Sequence, residues 1–271
     1  MLDVMSQAKN AIEAYNEALK VTSTNIANMN VAGYKKVDVS FQSIFEKMIN
    51  QGTAAEGNMG GTNPKQFGQG MSIANTSINF SNGEYTQATP LDLAIQGNGL
   101  FILSPDGGDS FLYTRMGNFQ VDNAYNLTSN GMQVYGFNSS GNVVPISALP
   151  SGNKQDYKWT ADGALQYTAD GGTTYTNTGY SIALTYFANP SGLAQAQGTT
   201  FAETTSSGPA ATAQLPGSQV GSLQTGYVEQ SNVFYLGETI TALELQRAMS
   251  GNLSMLKLAS DLINSFIQKL G

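Results

Sequence analysis

The chain has 271 residues and a formal net charge of −7 at pH 7, from 12 Lys and Arg against 19 Asp and Glu. This acidity argues against nucleic acid and against an anionic membrane surface as partners, because both attract basic proteins. The sequence contains no Cys and no His, which excludes disulfides, thiolate zinc sites and Ser-His-Asp or Cys-His catalysis. Only 11% of the residues are charged, which is low for a free monomer and compatible with a subunit that buries surface in an assembly.

An amphipathic helix is predicted at the start of the chain, from about Leu2 to Met29. Apolar residues recur there in alternating steps of three and four, which is the period of one face of a helix. Gly33 follows and is suited to the left-handed conformation that ends many helices. The predicted seam of this helix, interrupted only by Thr22, consists of Met5, Ala8, Ile12, Tyr15, Leu19 and Ile26.

Three segments are predicted between this helix and the C-terminal region. Residues 35–71 are expected to be a connector, because a short amphipathic stretch precedes a run rich in glycine and poor in apolar residues. Residues 72–190 are expected to form a β-rich domain, since short strand-like runs alternate with turn pairs such as Asn130-Gly131. Residues 191–231 are rich in Gly, Ala, Ser, Thr and Pro and are expected to be a second connector or return segment.

A second long helix is predicted within residues 232–271, which with residues 1–34 would make a terminal helical domain. Its heptad seam consists of Ala242, Leu245, Met249, Asn252, Leu256, Ala259, Ile263, Phe266 and Leu270. The positions beside the seam are apolar as well, namely Leu253, Met255, Leu258, Leu262 and Ile267. One partner helix cannot cover so much apolar surface, so this helix favours an assembly over the alternative of an intramolecular helix pair that closes one domain.

The predicted fold class is therefore mainly β with α-helical termini. An antiparallel β domain would be inserted between long N- and C-terminal helices that pair as a coiled coil.

Catalytic chemistry finds little support in the sequence. A carboxylate pair of the glycosidase kind is the remaining alternative, but Asp residues of the β region other than Asp92 lie beside turn residues, where Asp commonly caps the local backbone. The segment that begins at Asp122 fails the calcium-loop pattern, which requires Gly at its sixth and Glu at its twelfth position. We predict that the protein is not an enzyme and that it holds no cofactor and no metal.

Three stretches carry a pattern that occurs together in one known family: residues 25–35, residues 91–99 with 113–119, and residues 226–233 with 246–252. In this order they resemble the bacterial flagellar hook and rod proteins, the axial subunits of the hook–basal body. The positions that carry the resemblance are Asn25, Ala27, Asn28, Gly33, Leu91, Asp92, Gly97, Gly99, Arg115, Glu229, Ser231, Asn232, Gln246 and Arg247.

This resemblance implies a tubular helical polymer, either the hook or the distal rod, that transmits torque and passes exported subunits. The terminal helices would form the inner tube and the β domain would lie outside. The implied partners are further copies of the chain, other axial, junction and cap proteins, and the flagellar type III export apparatus, with no nucleic acid and no membrane insertion. The implied location is the hook–basal body, outside the cytoplasm. The N-terminus lacks the basic and apolar regions of a cleavable signal, as expected for that export route.

The resemblance leaves the choice between hook and rod open. The chain has no room for the additional outer domain of long hook proteins, so it resembles a rod subunit or a short hook subunit. The stretch 60–66 slightly favours the hook. Two interpretations from other classes remain: a secreted β-rich carbohydrate-active enzyme with coiled-coil ends, and a monomeric adhesin or effector.

Overall fold

The computed structural model describes residues 2–44, 47–50, 54, 60–63, 65–217 and 219–270. The chain folds into two compact units. Unit 1 contains Met1–Ile26, Val37–Ser77 and Tyr235–Gly271, whereas unit 2 contains Ala27–Lys36 and Ile78–Phe234. Each unit is therefore assembled from segments that are distant from one another in the sequence.

Two long helices lie at the ends of a chain otherwise made of short strands: helix α1 spans Leu2–Ala27 and helix α2 spans Tyr235–Leu270. The strands of the described residues are β1 (Val37–Ser43), β2 (Lys47–Asn50), β3 (Lys65–Phe67), β4 (Met71–Ile78), β5 (Tyr85–Gln87), β6 (Leu93–Gln96), β7 (Leu100–Ser104), β8 (Leu112–Thr114), β9 (Gln120–Val121), β10 (Leu127–Ser129), β11 (Met132–Phe137), β12 (Val143–Pro145), β13 (Tyr157–Trp159), β14 (Ala164–Tyr167), β15 (Thr176–Ile182), β16 (Leu184–Thr185), β17 (Ala194–Gln195), β18 (Thr200–Ala202), β19 (Ser222–Thr225) and β20 (Tyr227–Glu229). Short 3-10 helices span Lys154–Asp156 and Pro190–Gly192. The predicted class, mainly β with a helix at each end, is confirmed.

The largest sheet of unit 2 has twelve strands, with the central order β13-β14-β15-β11-β7-β8-β18-β17. Neighbouring strands such as β7 and β8 pair in the antiparallel direction. The hairpin between β10 and β11 turns at Asn130 and Gly131, whose φ angles are 52° and 78°. Two successive positive φ angles define the tight hairpin turn that this residue pair favours, so the turn predicted here is confirmed.

The core of unit 2 forms around the central strands of this sheet. Phe101 is fully buried and meets the ring of Phe119 edge-on, with 5.1 Å between the ring centroids. Trp159 is buried as well, and its indole N–H donates a hydrogen bond of 2.7 Å to the backbone carbonyl of Leu91. Because a buried indole nitrogen without an acceptor is costly, this bond fixes Trp159 in one orientation.

Unit 1 consists of the two helices and the strands of the segment 37–77. One face of α1 is buried, and its residues are small: Ala8, Ala11, Ala14, Ala18, Thr22 and Asn25. The side-chain amide of Gln7 donates to the carbonyl of Gly68, and that of Asn10 donates to the carbonyl of Gln69 at 3.2 Å. These bonds hold the chain that precedes β4 against α1.

The segment boundaries differ from the sequence expectation. Helix α1 ends at Ala27 rather than Met29. The expected connector 35–71 contains β1, β2 and β3, although residues 45–46, 51–53, 55–59 and 64 lie outside the described part. The expected connector 191–231 contains β17 to β20. Their pairing explains the difference, since β19 pairs with β6 and β20 pairs with β5, which lie more than a hundred residues earlier in the chain.

Candidate assembly surface

The two helices of unit 1 run antiparallel to each other. Near one end, the side-chain amide of Asn25 donates a hydrogen bond of 3.2 Å to Glu238 in the first turn of α2. Near the other end, residues from both helices line a groove of about 330 Å³, among them Ala8 and Ala11 on α1 and Asn252 and Met255 on α2. The helices therefore lie alongside each other over most of the length of α1.

The predicted seams have different environments on the two helices. On α1, Ala8 is buried, whereas Met5, Ile12, Tyr15, Leu19 and Ile26 are half-buried. On α2, Leu245 and Ala259 are buried, whereas Ala242, Met249, Asn252, Leu256 and Ile263 are half-buried and Phe266 is exposed. The side chain of Leu270 lies outside the described part.

Many large apolar side chains of α2 remain open to water on both flanks of its buried side, and together they are called the open face of α2. The five positions predicted beside the seam are all about half exposed: Leu253 47%, Met255 52%, Leu258 56%, Leu262 43% and Ile267 64%. The first turns of the same helix also expose Tyr235, Leu236, Ile240 and Leu243. A monomer rarely leaves so many large apolar side chains exposed on one element, which makes these residues a candidate interaction surface.

Helix α2 is ten residues longer than α1, with 36 residues against 26. Counting from the contact between Asn25 and Glu238, the first residue of α1 lies opposite about residue 261 of α2, at about 1.5 Å per residue on each helix. Phe266 and Ile267 lie beyond that point, and they are 57% and 64% exposed. The end of α2 therefore projects past its partner helix with its apolar residues uncovered.

Unit 2 contains a buried charge cluster, formed by Lys35, Arg115 and Glu229. Their side chains are 0%, 2% and 0% exposed. The Nζ of Lys35 lies 2.5 Å from Oε1 of Glu229, and Nη1 of Arg115 lies 3.4 Å from Oε2 of Glu229. Burial lowers the pKa of Lys35, and the Glu229 carboxylate opposes that shift. Three side chains from distant parts of the sequence thus share one closed site.

Comparison with known proteins gives a consistent result. The model of the flagella basal body rod protein family matches residues 5–35. The flagellar basal-body rod protein FlgG of Bacillus subtilis is 32% identical over 270 residues, which cover 98% of each chain. The chain belongs to the flagellar hook and basal-body rod protein family. This confirms the resemblance found in the sequence, and the chain is a structural axial subunit of the bacterial flagellum.

Other relatives of this flagellar subunit differ in how much of their length is matched. FlgG of Caulobacter vibrioides is 31% identical over 273 residues, which cover 98% of this chain and 99% of the relative. The flagellar hook protein FlgE of Borreliella burgdorferi is 30% identical over 174 residues, which cover 59% of this chain and only 39% of the hook protein. The match therefore covers nearly the whole length of these two rod relatives and less than half of this hook relative.

The motif positions of this flagellar subunit divide into buried, half-buried and exposed residues. Those that are buried are Asn25, Gly33, Leu91, Asp92, Gly99, Arg115, Glu229 and Ser231. Those that are half-buried are Asn28, Gly97 and Asn232. Those that are exposed are Ala27, Gln246 and Arg247. The structure brings Arg115 and Glu229 together, whereas Gln246 and Arg247 lie on the surface of α2.

Two of the asparagines bind backbone groups of neighbouring segments. The side chain of Asn25 both accepts from the N–H of Val37 at 3.0 Å and donates to the carbonyl of Val37 at 2.9 Å. The side chain of Asn232 accepts from the N–H of Lys36 at 2.7 Å and donates to the carbonyl of Asn79 at 2.8 Å. An amide offers both a donor and an acceptor, which is why one Asn can satisfy both polar groups of a passing chain.

The carboxylates considered as catalytic or calcium-binding candidates form hydrogen bonds or ion pairs with neighbouring residues. Asp92 is 2% exposed; it accepts bonds from the N–H and hydroxyl of Thr89 and lies 2.8 Å from the Nζ of Lys154. Asp122 accepts from the N–H groups of Ala124 and Asn126, which lowers its pKa.

Within the described part of the chain, no group of three or more acidic residues is placed to hold a metal ion. No helix there is long and apolar enough to cross a membrane.

Sequence reasoning missed several residues of these sites. Lys35 lies within the motif stretch 25–35 but is not among its characteristic positions, and the sequence pattern does not point to Glu238. The buried stripe of Ala11, Ala14 and Ala18 on α1 was also missed, because the heptad count followed the larger apolar residues. The signal that could have found the stripe was the recurrence of Ala at helical spacing.

Proposed function

We propose that this flagellar subunit is of the rod type and polymerises through its terminal helices into a helical tube. The observation that carries the rod assignment is coverage, since FlgG of Bacillus subtilis matches over 98% of both chains. The hook relative FlgE of Borreliella burgdorferi is matched over only 39% of its length. This difference counts against the slight preference for the hook that residues 60–66 gave.

The polymer itself is supported by the open apolar face of α2. In a subunit on its own, α1 covers one side of α2 and leaves side chains such as Leu258 and Ile267 at 56% and 64% exposure. Neighbouring copies would cover this face, with the α1 and α2 seams pairing as a coiled coil within each subunit. A contact between unlike surfaces of identical copies produces an open helical polymer when the rotation from copy to copy does not close into a ring.

The remaining parts of the proposal follow the same division of the chain. The terminal helices of residues 1–34 and 232–271 would form the inner tube around a central channel. The antiparallel β domain, centred on residues 72–190 with the flanking segments 35–71 and 191–231, would be inserted between them and lie outside. The polymer would transmit torque, and other axial, junction and cap proteins and the flagellar export apparatus would be its partners.

We propose no enzymatic activity for this subunit. The most buried of the candidate carboxylates, Asp92, is occupied by Thr89 and Lys154. Hydrolysis of a polysaccharide that is lost on changing Asp92 to Asn would contradict this part of the proposal.

Electron microscopy of the purified, concentrated protein tests the polymer most directly, and tubes are the expected result. Deleting residues 253–271 should abolish the tubes while the thermal transition of unit 2 remains, because unit 2 contains none of these residues. A deletion variant that still forms tubes, or a full chain that stays monomeric at high concentration, would contradict the proposal.

The rod assignment has its own test. Expression in a Bacillus subtilis strain that lacks FlgG should restore hook–basal bodies, whereas expression in a strain that lacks its hook protein should not. The opposite pattern would assign the subunit to the hook.

A further inference from the structure

Unit 2 receives the chain from α1, returns it to unit 1 after Lys36, receives it again at Ile78 and passes it on to α2. The incoming segment is Ala27–Lys36, and the outgoing segment is the end of Ile78–Phe234. Any load carried along the backbone through the two helices therefore reaches unit 2 at these two segments. Whether unit 2 stays closed under load depends on what joins them.

Several hydrogen bonds join the incoming segment to the outgoing one. The N–H of Gly33 donates to the carbonyl of Glu229 at 2.8 Å, and the N–H of Lys36 donates to the side chain of Asn232 at 2.7 Å. Gly33 has a φ angle of 71°, and a Cβ there would lie 2.5 Å from the backbone nitrogen of Met116. A side chain at this position would therefore clash with the backbone of Met116 and displace the incoming segment.

The Glu229 side chain extends this junction to other parts of unit 2. Its Oε1 accepts from Lys35 at 2.5 Å and from the N–H of Gly83 at 2.9 Å, and its Oε2 lies 3.4 Å from Arg115. The ammonium of Lys35 also donates to the carbonyl of Ser81 at 2.8 Å. One carboxylate thus connects the outgoing strand to the incoming segment, to the loop before β5 and to Arg115.

The cluster carries a net positive charge, because two cations share one carboxylate. All three side chains are almost completely buried. The Nε of Arg115 has no hydrogen-bond partner within the described part of the chain. Removing Glu229 would leave two uncompensated cations in a closed site, whereas removing Lys35 would leave a balanced pair. Loss of one partner from a buried ion pair is strongly unfavourable, so the two changes should differ greatly.

We propose that Lys35, Arg115 and Glu229 form a mechanical clamp, which joins the incoming and outgoing segments and keeps unit 2 closed when the two terminal helices are pulled. The clamp follows from the contacts within unit 2. It does not depend on whether the subunit belongs to the rod or to the hook. Its failure in a test would leave the polymer proposal untouched, because that proposal rests on the face of α2.

Force spectroscopy on the full chain tests the clamp. The sequence has no Cys, so Ala27→Cys and Phe234→Cys provide unique attachment points, and both positions are exposed. In this pulling direction, Glu229→Gln should lower the force that opens unit 2, and Lys35→Met should lower it less. Glu84→Gln is the matched control, because its side chain is exposed and its backbone carbonyl, which binds Gln230, is unchanged.

A second pulling direction separates a clamp from general stabilisation. Attachment at Ser140→Cys and Leu215→Cys, both exposed, loads unit 2 without passing through the incoming segment. Glu229→Gln should change the opening force much less in this direction. Equal losses in both directions, or no loss between positions 27 and 234, would overturn the clamp.

Chemical labelling of Lys35 in solution tests the clamp in a variant that is too unstable for force spectroscopy. The buried Lys35 amine should resist acetylation by an N-hydroxysuccinimide ester, and Glu229→Gln should raise its labelling rate by at least about 100-fold, since unpaired buried charge favours opening. If Glu229→Gln does not fold, Glu229→Asp keeps the charge and should give a smaller increase. A labelling rate at the wild-type level in the folded variant would overturn the proposal.

Discussion

Replacing Leu258 by alanine tests whether the open face of α2 holds the polymer together. Full burial of a leucine side chain contributes about 1.5–3 kcal/mol, so the 56% that is open in one subunit corresponds to about 1–1.5 kcal/mol if neighbours cover it. That value is close to a tenfold change in the association constant. Alanine preserves the helical preference of the segment, so the isolated subunit should be almost unaffected.

The measurement is the critical concentration for polymerisation, obtained by sedimentation and checked by electron microscopy. It should rise about tenfold for Leu258→Ala and several hundredfold when Leu253 and Leu262 are changed as well, since the three contributions total about 3–4 kcal/mol. Leu245→Ala is the matched control: this residue is 8% exposed, so the change should lower the stability of the subunit itself by about 2–5 kcal/mol. A triple variant that polymerises at the wild-type concentration would refute the assignment of this face to assembly.

Three further predictions concern single side chains. Asn252 is half-buried and its side chain donates to the carbonyl of Ala248 at 2.9 Å. Asn252→Leu should give polymers that are more stable to heat but less uniform in helical symmetry. Unchanged symmetry and stability would show that Asn252 has no role in the register of the packed helices. Trp159→Phe removes the bond to Leu91 and should lower the free energy of unfolding of unit 2 by about 2 kcal/mol, measured by urea denaturation. Burial raises the pKa of Tyr157 from 10.0 to about 12. The neutral phenol therefore stabilises the fold below pH 10, and this contribution is lost as the pH rises from 10 through 12. Tyr157→Phe should show a flatter dependence of the urea midpoint on pH in that window.

Features set by local sequence could be predicted well. The three-four spacing of apolar residues predicted both helices to within a few residues, because that period is a property of the helix alone. The turn at Asn130-Gly131 was predictable for the same reason, since positive φ angles are a local preference of these residues. The exposed face of α2 also followed from the sequence, because apolar residues at flanking positions such as Leu258 exceed what one partner helix covers.

Features set by pairing over long distances could not be predicted. Strand β19 pairs with β6, and its glycine- and serine-rich surroundings carry no sign of that partner. Lys35 and Glu229 meet although 194 residues separate them. A motif search placed Glu229 among the characteristic positions, but only the fold shows that its carboxylate faces two buried cations. The alanine stripe of α1 was missed because small residues give a weak apolar signal even where they are fully buried.

The chain passes between the two units four times, at residues 26–27, 36–37, 77–78 and 234–235. A protease that cuts the backbone at one of these crossings would leave the units tied by the other three. Neither unit corresponds to a single continuous stretch of the gene, so neither could be exchanged between related subunits by one recombination event at each end. New sequence is more readily accepted within a loop of one unit than at these crossings, where any change in length would alter a covalent tie between the two.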